Sequence, residues 1–206
     1  MQDLEPKPLI LECSGLSIYR RGKPVLESFD LSFFQDCLLI EGEESRTLLE
    51  VFTGWRAYRG DVKIFGLAPG SNLLLDKITY RSTADDWPAY STVEEWLALS
   101  ASERSSRDLF LEKAKNIADG LRLPWKSLIK HLRKRERSAL AIAESLLSKA
   151  GLLLLDQPFD GMDKEDVVKS LGWLKGRRGV IIATPYADPR LSEGLGCIRL
   201  PRVITS

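Results

Sequence analysis

The most regular feature of the sequence is a run of four consecutive leucines, Leu152–Leu155, just before Asp156. A run this short cannot cross a membrane, and it is typical of a strand that is buried on both faces of a parallel sheet. Pro158 follows soon after and has no N–H to donate, so the strand must end before it. Two further apolar runs, Cys37–Gly42 and Gly179–Thr184, predict buried strands of the same kind.

Alternating and helical patterns fill much of the remaining chain. Strands are predicted where apolar and polar residues alternate, and helices where apolar residues recur at helical spacing. The motif Ser91-Thr92-Val93-Glu94 is a capping box, which predicts the start of another helix. The other predicted strands are Leu9–Tyr19, Pro24–Phe34, Gly60–Gly66 and Gly196–Leu200, and the other predicted helices are Thr47–Gly54, Asp108–Leu121 and Lys164–Lys175.

The composition is that of a globular protein with one compact α/β domain. The chain has 206 residues, of which 44% are hydrophobic and 29% are charged, and its formal net charge is +1. So small a net charge argues against a general binder of nucleic acids or membrane surfaces. The cysteines Cys13, Cys37 and Cys197 lie far apart, which predicts buried thiols in a reducing cytoplasm.

Candidate chemistry lies at the ends of two buried strands. Asp156 ends the leucine strand at the carboxyl edge of the predicted sheet, where ligands of open α/β sheets bind and a carboxylate could hold Mg²⁺ through water. The strand Cys37–Gly42 leads through Glu43–Arg46 into the helix that starts at Thr47. Strand, glycine, loop and amphipathic helix form the layout of a phosphate-binding loop.

In order and spacing, these elements resemble the ATP-binding cassette of the ABC ATPase family over nearly the whole chain. Asp156-Gln157-Pro158 is similar to the end of its Walker B strand, and Thr47-Leu48-Leu49 to the helix after its Walker A loop. The resemblance implies an α/β fold of the P-loop NTPase type. Such a fold has a mainly parallel central sheet, an N-terminal antiparallel β portion and a small helical subdomain.

The resemblance also implies how the chain is divided. Residues 1–206 are expected to form a single domain, with 1–83 and 138–206 as the core and 84–137 as the helical subdomain. Within these parts it places a strand at Asp76–Tyr80 and a helix at Ala139–Leu147.

The same resemblance places altered residues where ABC ATPases carry out catalysis. The Walker A loop is about three residues shorter than the family pattern, its lysine is absent, and Ser45 and Arg46 precede Thr47 in its place. The other altered positions are Thr83 or Ser82 for the Q-loop glutamine, Gln157 for the Walker B glutamate and Pro185 for the switch histidine. Glutamine cannot act as a general base, and proline can neither accept a proton nor donate a hydrogen bond.

A nucleotide, if one binds, would therefore bind poorly. Glu43 and Glu44 would face its phosphates, at a cost on the order of 1 kcal/mol or more each, although both also complement the dipole of the following helix. Mg²⁺ would bind Asp156 only together with a nucleotide, and no other metal site is expected. The nucleotide-contacting positions would be Tyr19 under the adenine, Gly42, Arg46, Thr47 and Asp156.

A basic segment stands where the family has its signature motif. This motif falls on Leu132–Glu136, and three of those residues are Arg133, Lys134 and Arg135. They could contact a nucleotide held by a partner, bind an acidic protein or lipid headgroup, or form a solvated basic face.

Two further pairs of residues are candidates for partner contacts. Asp160 and Asp163 lie in a stretch similar to the family's D-loop, which implies a dimer surface. Trp87 and Tyr90 lie in the loop before the predicted capping box. They are either anchors for a partner or, in the case of Trp87, a buried structural side chain.

Together these residues predict a catalytically inactive ABC-type ATPase homologue, a pseudo-ATPase without a cofactor. It would serve as a structural or regulatory subunit of a membrane-associated, ABC-transporter-like complex. The expected partners are a second ABC-type subunit, in a homodimer or heterodimer, and a membrane-embedded permease-like subunit, with no nucleic acid. The expected location is the cytoplasmic face of a membrane, where the chain is peripheral.

Two alternatives remain open. In the first, the chain is one half of a heterodimeric ABC ATPase, whose partner supplies a functional Walker A site and hydrolyses ATP with Mg²⁺. In the second, it is a nucleotide-free scaffold in which Arg46 and the basic segment 130–137 bind an acidic protein.

Overall fold

A computed structural model describes residues 8–34, 36–99, 107–177, 179–191 and 195–201. Short 3-10 turns occur at Asn72–Leu74 and Ile129–His131. Along the chain, the described residues form β1 (Leu11–Arg20), β2 (Lys23–Phe33), β3 (Asp36–Glu41), α1 (Ser45–Phe52), β4 (Arg59–Ile64), β5 (Ile78–Ser82), α2 (Val93–Leu99), α3 (Arg107–Gly120), α4 (Lys134–Leu147), β6 (Leu152–Asp156), α5 (Lys164–Leu174), β7 (Gly179–Thr184) and β8 (Gly196–Arg199).

The N-terminal part of the chain forms an antiparallel sheet. Its strand order is β2-β1-β4, and β1 pairs with both neighbours in antiparallel register. Arg21 and Gly22 have φ angles of 52° and 78°, which let β1 turn tightly into β2. These strands lie within two residues of the predicted ones, so the predicted antiparallel portion is confirmed.

The central sheet has five strands in the order β5-β6-β7-β3-β8. The pairs β6–β7, β7–β3 and β3–β8 are parallel. The four leucines of β6 are completely buried, as predicted for a strand covered on both faces. The strands β3, β6 and β7 end at Glu41, Asp156 and Thr184, which brings these three positions to the carboxyl edge of the sheet.

The described residues pack into two compact units. Unit 1 lies within Met1–Tyr80, Lys149–Asp156 and Lys175–Ser206, and unit 2 within Arg81–Ser148 and Gln157–Leu174. The units group residues that pack together and do not test the predicted domain boundaries. Those boundaries stay a prediction.

A continuous apolar core holds α1 in unit 1. Leu48, Leu49, Val51 and Phe52 are completely buried and belong to the same cluster as Leu152 and Leu154 of β6. Burying one such side chain contributes about 1.5–3 kcal/mol, so this face fixes the start of α1 next to the end of β3. In unit 2, α3 packs on α2 and α4, and α4 packs on α5.

Several predicted boundaries are wrong by a few residues. The capping box uses Thr92 and Glu95 rather than Ser91 and Glu94. The Thr92 N–H donates to the Glu95 carboxylate at 2.8 Å, and the Glu95 N–H donates to the Thr92 hydroxyl at 3.2 Å. Strand β5 lies two residues later than Asp76–Tyr80.

The predicted helix Ala139–Leu147 is only the second part of α4, which begins at Lys134. The helix starts earlier because the Glu136 carboxylate accepts the Arg133 N–H at 2.7 Å and so satisfies one free amide of the first turn. Cationic side chains at this end oppose the helix dipole. Because acidic residues are the usual signal of a helix start, the sequence does not indicate that α4 begins here.

The prediction of buried thiols is confirmed for Cys13 and Cys37 and wrong for Cys197, which is exposed on the short strand β8. Burial raises the pKa of the Cys13 thiol to about 12, so this thiol stays protonated at neutral pH.

Within the described ranges, no helix combines the length and the apolar character needed to cross a membrane.

Candidate functional site

A single tight turn joins β3 to α1 at the position of the predicted phosphate-binding loop. The Ser45 N–H donates to the Gly42 carbonyl at 3.0 Å, and the Gly42 N–H donates to the Thr184 carbonyl at 2.9 Å. Gly42 has a φ of 141°, and a Cβ at this position would lie 2.8 Å from the Leu200 Cβ. Glycine is therefore required here, and the turn leaves only Glu43 and Glu44 before the helix.

Glu44 is one of the few buried charged residues of unit 1, with 6% of its surface exposed. Its Oε2 accepts hydrogen bonds from the Thr47 hydroxyl at 2.7 Å and from Nη2 of Arg20 at 2.9 Å. Arg20 also donates to the Thr47 hydroxyl at 3.3 Å. We refer to Arg20, Glu44 and Thr47 as the triad; it brings a cation from the end of β1 onto a carboxylate at the start of α1.

Asp156 at the end of β6 faces a cation rather than open solvent. Only 1% of its side chain is exposed, and its Oδ2 lies 3.7 Å from Nε of Arg46. The Tyr80 hydroxyl donates to the same oxygen at 3.3 Å. Arg46 also lies 3.4 Å from the Glu50 carboxylate, one helical turn further on. Burial opposes the charge of Arg46, but Tyr80, Asp156 and Glu50 outweigh it and raise the pKa of the guanidinium.

The predicted adenine-stacking residue also has a partner within the chain. The guanidinium carbon of Arg59 lies 4.8 Å from the centre of the Tyr19 ring, within the range of a cation–π contact. One face of the ring is thus covered by a side chain from β4.

The residues of unit 1 do not fit Mg-ATP. A phosphate would have to displace the Glu44 carboxylate from Arg20 and Thr47, and Mg²⁺ would have to displace the Arg46 guanidinium from Asp156. In the part of the chain that the structure describes, no group of three His, Cys, Asp or Glu side chains could hold a metal ion. Whether a nucleotide binds stays a prediction, which these contacts make unfavourable.

The remaining predicted catalytic positions each follow a strand. Thr83 comes directly after β5, Gln157 after β6 and Pro185 after β7. Gln157 has a φ of 50°, a left-handed conformation that costs a non-glycine residue about 1–2 kcal/mol. Pro185 lines a cavity of about 370 Å³ together with Glu41, Gly42 and Arg199. The Arg199 guanidinium donates to the buried Glu41 carboxylate at 2.9 Å.

The basic segment of unit 2 is largely paired with acids of its own unit. Nζ of Lys134 lies 2.7 Å from the Asp160 carboxylate. Arg135 donates to Asp166 at 2.7 Å and to the Leu121 carbonyl at 2.8 Å. Arg133, which precedes the first residue of α4, is exposed.

Asp163, the other D-loop position, is also paired within unit 2. Its carboxylate accepts from the Asp166 N–H at 2.8 Å and from Arg122 at 3.0 Å. The Asp166 N–H in particular lowers the pKa of Asp163, and Arg122 adds to this effect. The interface role of the basic segment and of the two aspartates stays a prediction, although the side chains of Lys134, Arg135, Asp160 and Asp163 already have partners within unit 2.

Trp87 and Tyr90 have different environments. The Trp87 indole N–H donates to Oε2 of Glu144 at 2.8 Å, and the Trp96 indole N–H donates to Oε1 at 2.7 Å. Nε of Arg81 lies 3.3 Å from the same carboxylate. Trp87 therefore has a hydrogen-bond partner within unit 2, and its role in a partner contact stays a prediction.

Tyr90 is 78% exposed, and Nζ of Lys130 lies 4.2 Å from the centre of its ring. Its exposure is what a partner contact requires.

Sequence reasoning missed Arg20 and the role of Glu144. Arg20 lies 24 positions from Glu44, and Glu144 lies 48 and 57 positions from its two indoles. A glutamate on the apolar side of a helix is the only local signal, since a carboxylate there needs partners.

Comparisons of the whole chain with solved structures identify its fold. A Pyrococcus furiosus protein described as an ABC transporter ATP-binding protein superposes with a TM-score of 0.76 and 21% identity, over 92% of this chain and 96% of that one. The protein cbiO1 of Clostridium perfringens, part of the ABC transporter complex cbiONQ, gives 0.77 and 18%, over 96% and 87%. The chain has the fold of an ABC ATP-binding cassette, which confirms the predicted fold class and the resemblance.

Sequence comparisons reach less far. No family model matches the chain. The energy-dependent translational throttle protein EttA of Haemophilus influenzae is 37% identical over 89 residues, which is 43% of this chain and 16% of EttA. EttA of Escherichia coli K12 is 35% identical over a match of the same length. The chain thus matches only a small part of these relatives.

Proposed function

We propose that this chain is a catalytically inactive relative of ABC ATPases that acts as a structural or regulatory subunit of a membrane-associated complex. The observation that carries the proposal is the approach of Arg46 to Asp156. A side-chain cation lies against the carboxylate that would otherwise serve Mg²⁺. With the site neutralised from within, the fold can persist without a nucleotide.

The chemistry of the other positions supports inactivity. Phosphoryl transfer depends on collective positioning and charge neutralisation, and it fails when several parts are missing together. Gln157 cannot serve as a general base, and Pro185 offers neither a proton acceptor nor a donor to a phosphate. Within the triad, the Glu44 carboxylate already takes up the Arg20 guanidinium and the Thr47 hydroxyl, two groups that a phosphate would need.

Exposed apolar side chains in unit 1 support a protein partner. Trp55, Leu73 and Leu75 are exposed by 69%, 68% and 76%. Trp55 and Leu75 also line a groove of about 350 Å³. Apolar patches of this kind mark interaction sites in soluble proteins. We expect the partners to be a second ABC-type subunit and a permease-like subunit, with this chain on the cytoplasmic face of the membrane.

Calorimetric titration with Mg-ATP and a phosphate-release assay test the proposal. We expect no saturable binding at micromolar ATP and no phosphate release above that of the buffer, for the wild type and for an Asp156→Asn control alike. Sub-micromolar binding with turnover that Asp156→Asn abolishes would refute it.

A second candidate is that the chain is one half of a heterodimeric ATPase, and the exposed Arg133 at the start of α4 favours it. Arg133→Glu tests this candidate more cleanly than reversing Lys134 or Arg135, which hold Asp160 and Asp166. In the purified native complex, ATP turnover by the partner should fall at least about tenfold with assembly intact. Unchanged turnover would contradict this candidate and favour the first proposal, a catalytically inactive subunit.

The likeness to EttA favours a third candidate, a role in translation rather than at a membrane. The match covers 16% of that protein, so a shared role is a proposal that needs its own test. Affinity capture of the full chain under native conditions distinguishes a role at a membrane from a role in translation. Permease-like membrane proteins among the captured partners support the first proposal, and components of the translation machinery support this one.

A further inference from the structure

The triad has an uncommon arrangement of charge for a position at the surface end of a helix. The Glu44 side chain is 7% exposed, whereas the Arg20 side chain is 52% exposed. The hydrogen-bonded oxygen receives two donors from different segments, at 2.9 Å from Arg20 and 2.7 Å from Thr47. The carboxylate is thus held as a bound anion would be held.

The neighbouring carboxylate behaves differently. Glu43 precedes Glu44 in the same turn, yet its side chain is exposed, and Glu43 lines the cavity that Arg199 also lines. Two adjacent glutamates in one turn therefore have opposite environments. Only Glu44 is placed between a guanidinium and a hydroxyl.

We propose that Glu44 is an intramolecular anion that fills the place of a small phosphate between Arg20 and Thr47 and closes it to free phosphate. The inference rests on the proposed function and goes beyond it, since it names the residue that closes the site. A carboxylate and a phosphate oxygen carry the same kind of acceptor, and guanidinium binds both. A short tether also gives the Glu44 carboxylate a millimolar or higher effective concentration, against which weakly bound phosphate competes poorly.

Glu44→Ala in the full-length protein should open this place. We expect inorganic phosphate and pyrophosphate, titrated by calorimetry at constant ionic strength, to bind the variant at least about tenfold more tightly than the wild type. Thermal unfolding gives a second readout. At a phosphate concentration ten times the Kd of the variant, the Tm of the variant should rise by about 3–5 °C, and that of the wild type by about 1.5 °C or less.

Two controls make the result specific. Glu43→Ala removes the adjacent carboxylate and should behave as the wild type does toward phosphate. Combining Glu44→Ala with Arg20→Ala should abolish the gain, because the guanidinium is then missing. An equal gain in Glu43→Ala, or a gain that survives loss of Arg20, would overturn the proposal, because general charge reduction would then explain it.

The outcomes separate this inference from the proposed function. Turnover of Mg-ATP by the wild type refutes the proposed function whatever phosphate does. A folded Glu44→Ala protein that ignores phosphate refutes only the role of Glu44. Glu44→Gln is nearly isosteric and keeps its acceptor oxygen, so it carries the test if Glu44→Ala does not fold. We then expect a smaller gain in phosphate affinity, and no gain refutes the role.

Discussion

Two glutamates of this protein are equally buried and serve different ends. Glu44 in unit 1 and Glu144 in unit 2 are each 6% exposed. Glu44 accepts from a half-exposed guanidinium and from a hydroxyl three residues away. Glu144 accepts from the indoles of Trp87 and Trp96, which lie on a loop and on helix α2.

The difference lies in what the partners would do without the carboxylate. Arg20 can turn to water, because half of its side chain is already exposed. The indoles of Trp87 and Trp96 are half-buried and share one buried acceptor, so removing that carboxylate would cost two hydrogen bonds at once. Equal burial therefore does not imply an equal role. Glu144 stabilises unit 2, whereas Glu44 controls what can approach α1.

The largest expected effect is that of Glu144→Ala. Removing the carboxylate leaves two indole N–H groups and Arg81 without their shared acceptor, which should lower the free energy of unfolding by about 2–4 kcal/mol. Urea denaturation followed by tryptophan fluorescence measures the loss directly.

Glu144→Gln is the matched control for this change. The amide has nearly the same shape as the carboxylate and keeps one acceptor oxygen. We therefore expect Glu144→Gln to lose about half as much free energy of unfolding as Glu144→Ala does. A loss below about 0.5 kcal/mol for Glu144→Ala would show that Glu144 and Glu44 do not differ in this way.

Arg46→Ala is expected to have the next largest effect. It removes the cation next to Asp156 but leaves the hydroxyl of Tyr80 in place. Because Arg46 is half-exposed, we expect a loss of about 1–2 kcal/mol in the free energy of unfolding rather than the cost of a fully buried pair.

Lys63→Ala provides the baseline for Arg46→Ala, since Lys63 pairs with Asp61 at the surface of unit 1. We expect it to change stability less than Arg46→Ala does in the same urea experiment, because both partners of this pair are exposed. Equal losses in the two variants would mean that Asp156 does not depend on Arg46.

The sequence predicts the fold much better than it predicts the site. The leucines of β6 show a buried strand because an apolar run has few other stable positions in a globular protein. The sequence predicts the capping box one residue too early because Ser91 with Glu94 and Thr92 with Glu95 fit the same pattern, and only the backbone distinguishes them. Local rules of this kind determine elements to within a few residues.

The contacts of the site depend on residues that are distant in the chain. The sequence singles out Asp156 and Arg46 as candidate site residues, but nothing in it brings Arg20 to Glu44 or Trp96 to Glu144. Such pairs form only when two elements pack together, and neither partner's local sequence names the other. Side-chain partnership across more than about two helical turns has no sequence period to reveal it.

A pH series sharpens the comparison, because protonation changes the charge of Glu144 and leaves both of its oxygens in place. Burial raises the pKa of Glu144, against the opposing effects of Arg81, Trp87 and Trp96. The folded state therefore holds this proton more tightly than the unfolded state does. The resulting stabilisation is present below the unfolded pKa of about 4.3 and is lost as the pH rises through the folded value.

Urea unfolding of the wild type and Glu144→Gln across this range isolates the effect, since other titrating groups cancel in the difference. The stability of the wild type relative to the variant should fall with rising pH. A difference that is flat, or that grows with pH, would contradict the raised pKa.

The smallest expected effect concerns the contact between Lys130 and Tyr90 on the exposed side of unit 2. An exposed cation–π contact contributes about 0.5–1 kcal/mol, so a double-mutant cycle of Lys130→Ala and Tyr90→Leu should give a coupling energy in that range. Unlike Trp87, Tyr90 has most of its surface in solvent, and Tyr90→Leu alone should hardly change stability. If Tyr90 contacts a partner, the same variant should reduce the amount of protein that copurifies with the native complex. Reduced copurification with stability intact would assign Tyr90 to binding and Trp87 to the structure of unit 2, whereas a large loss of stability would place both with Glu144.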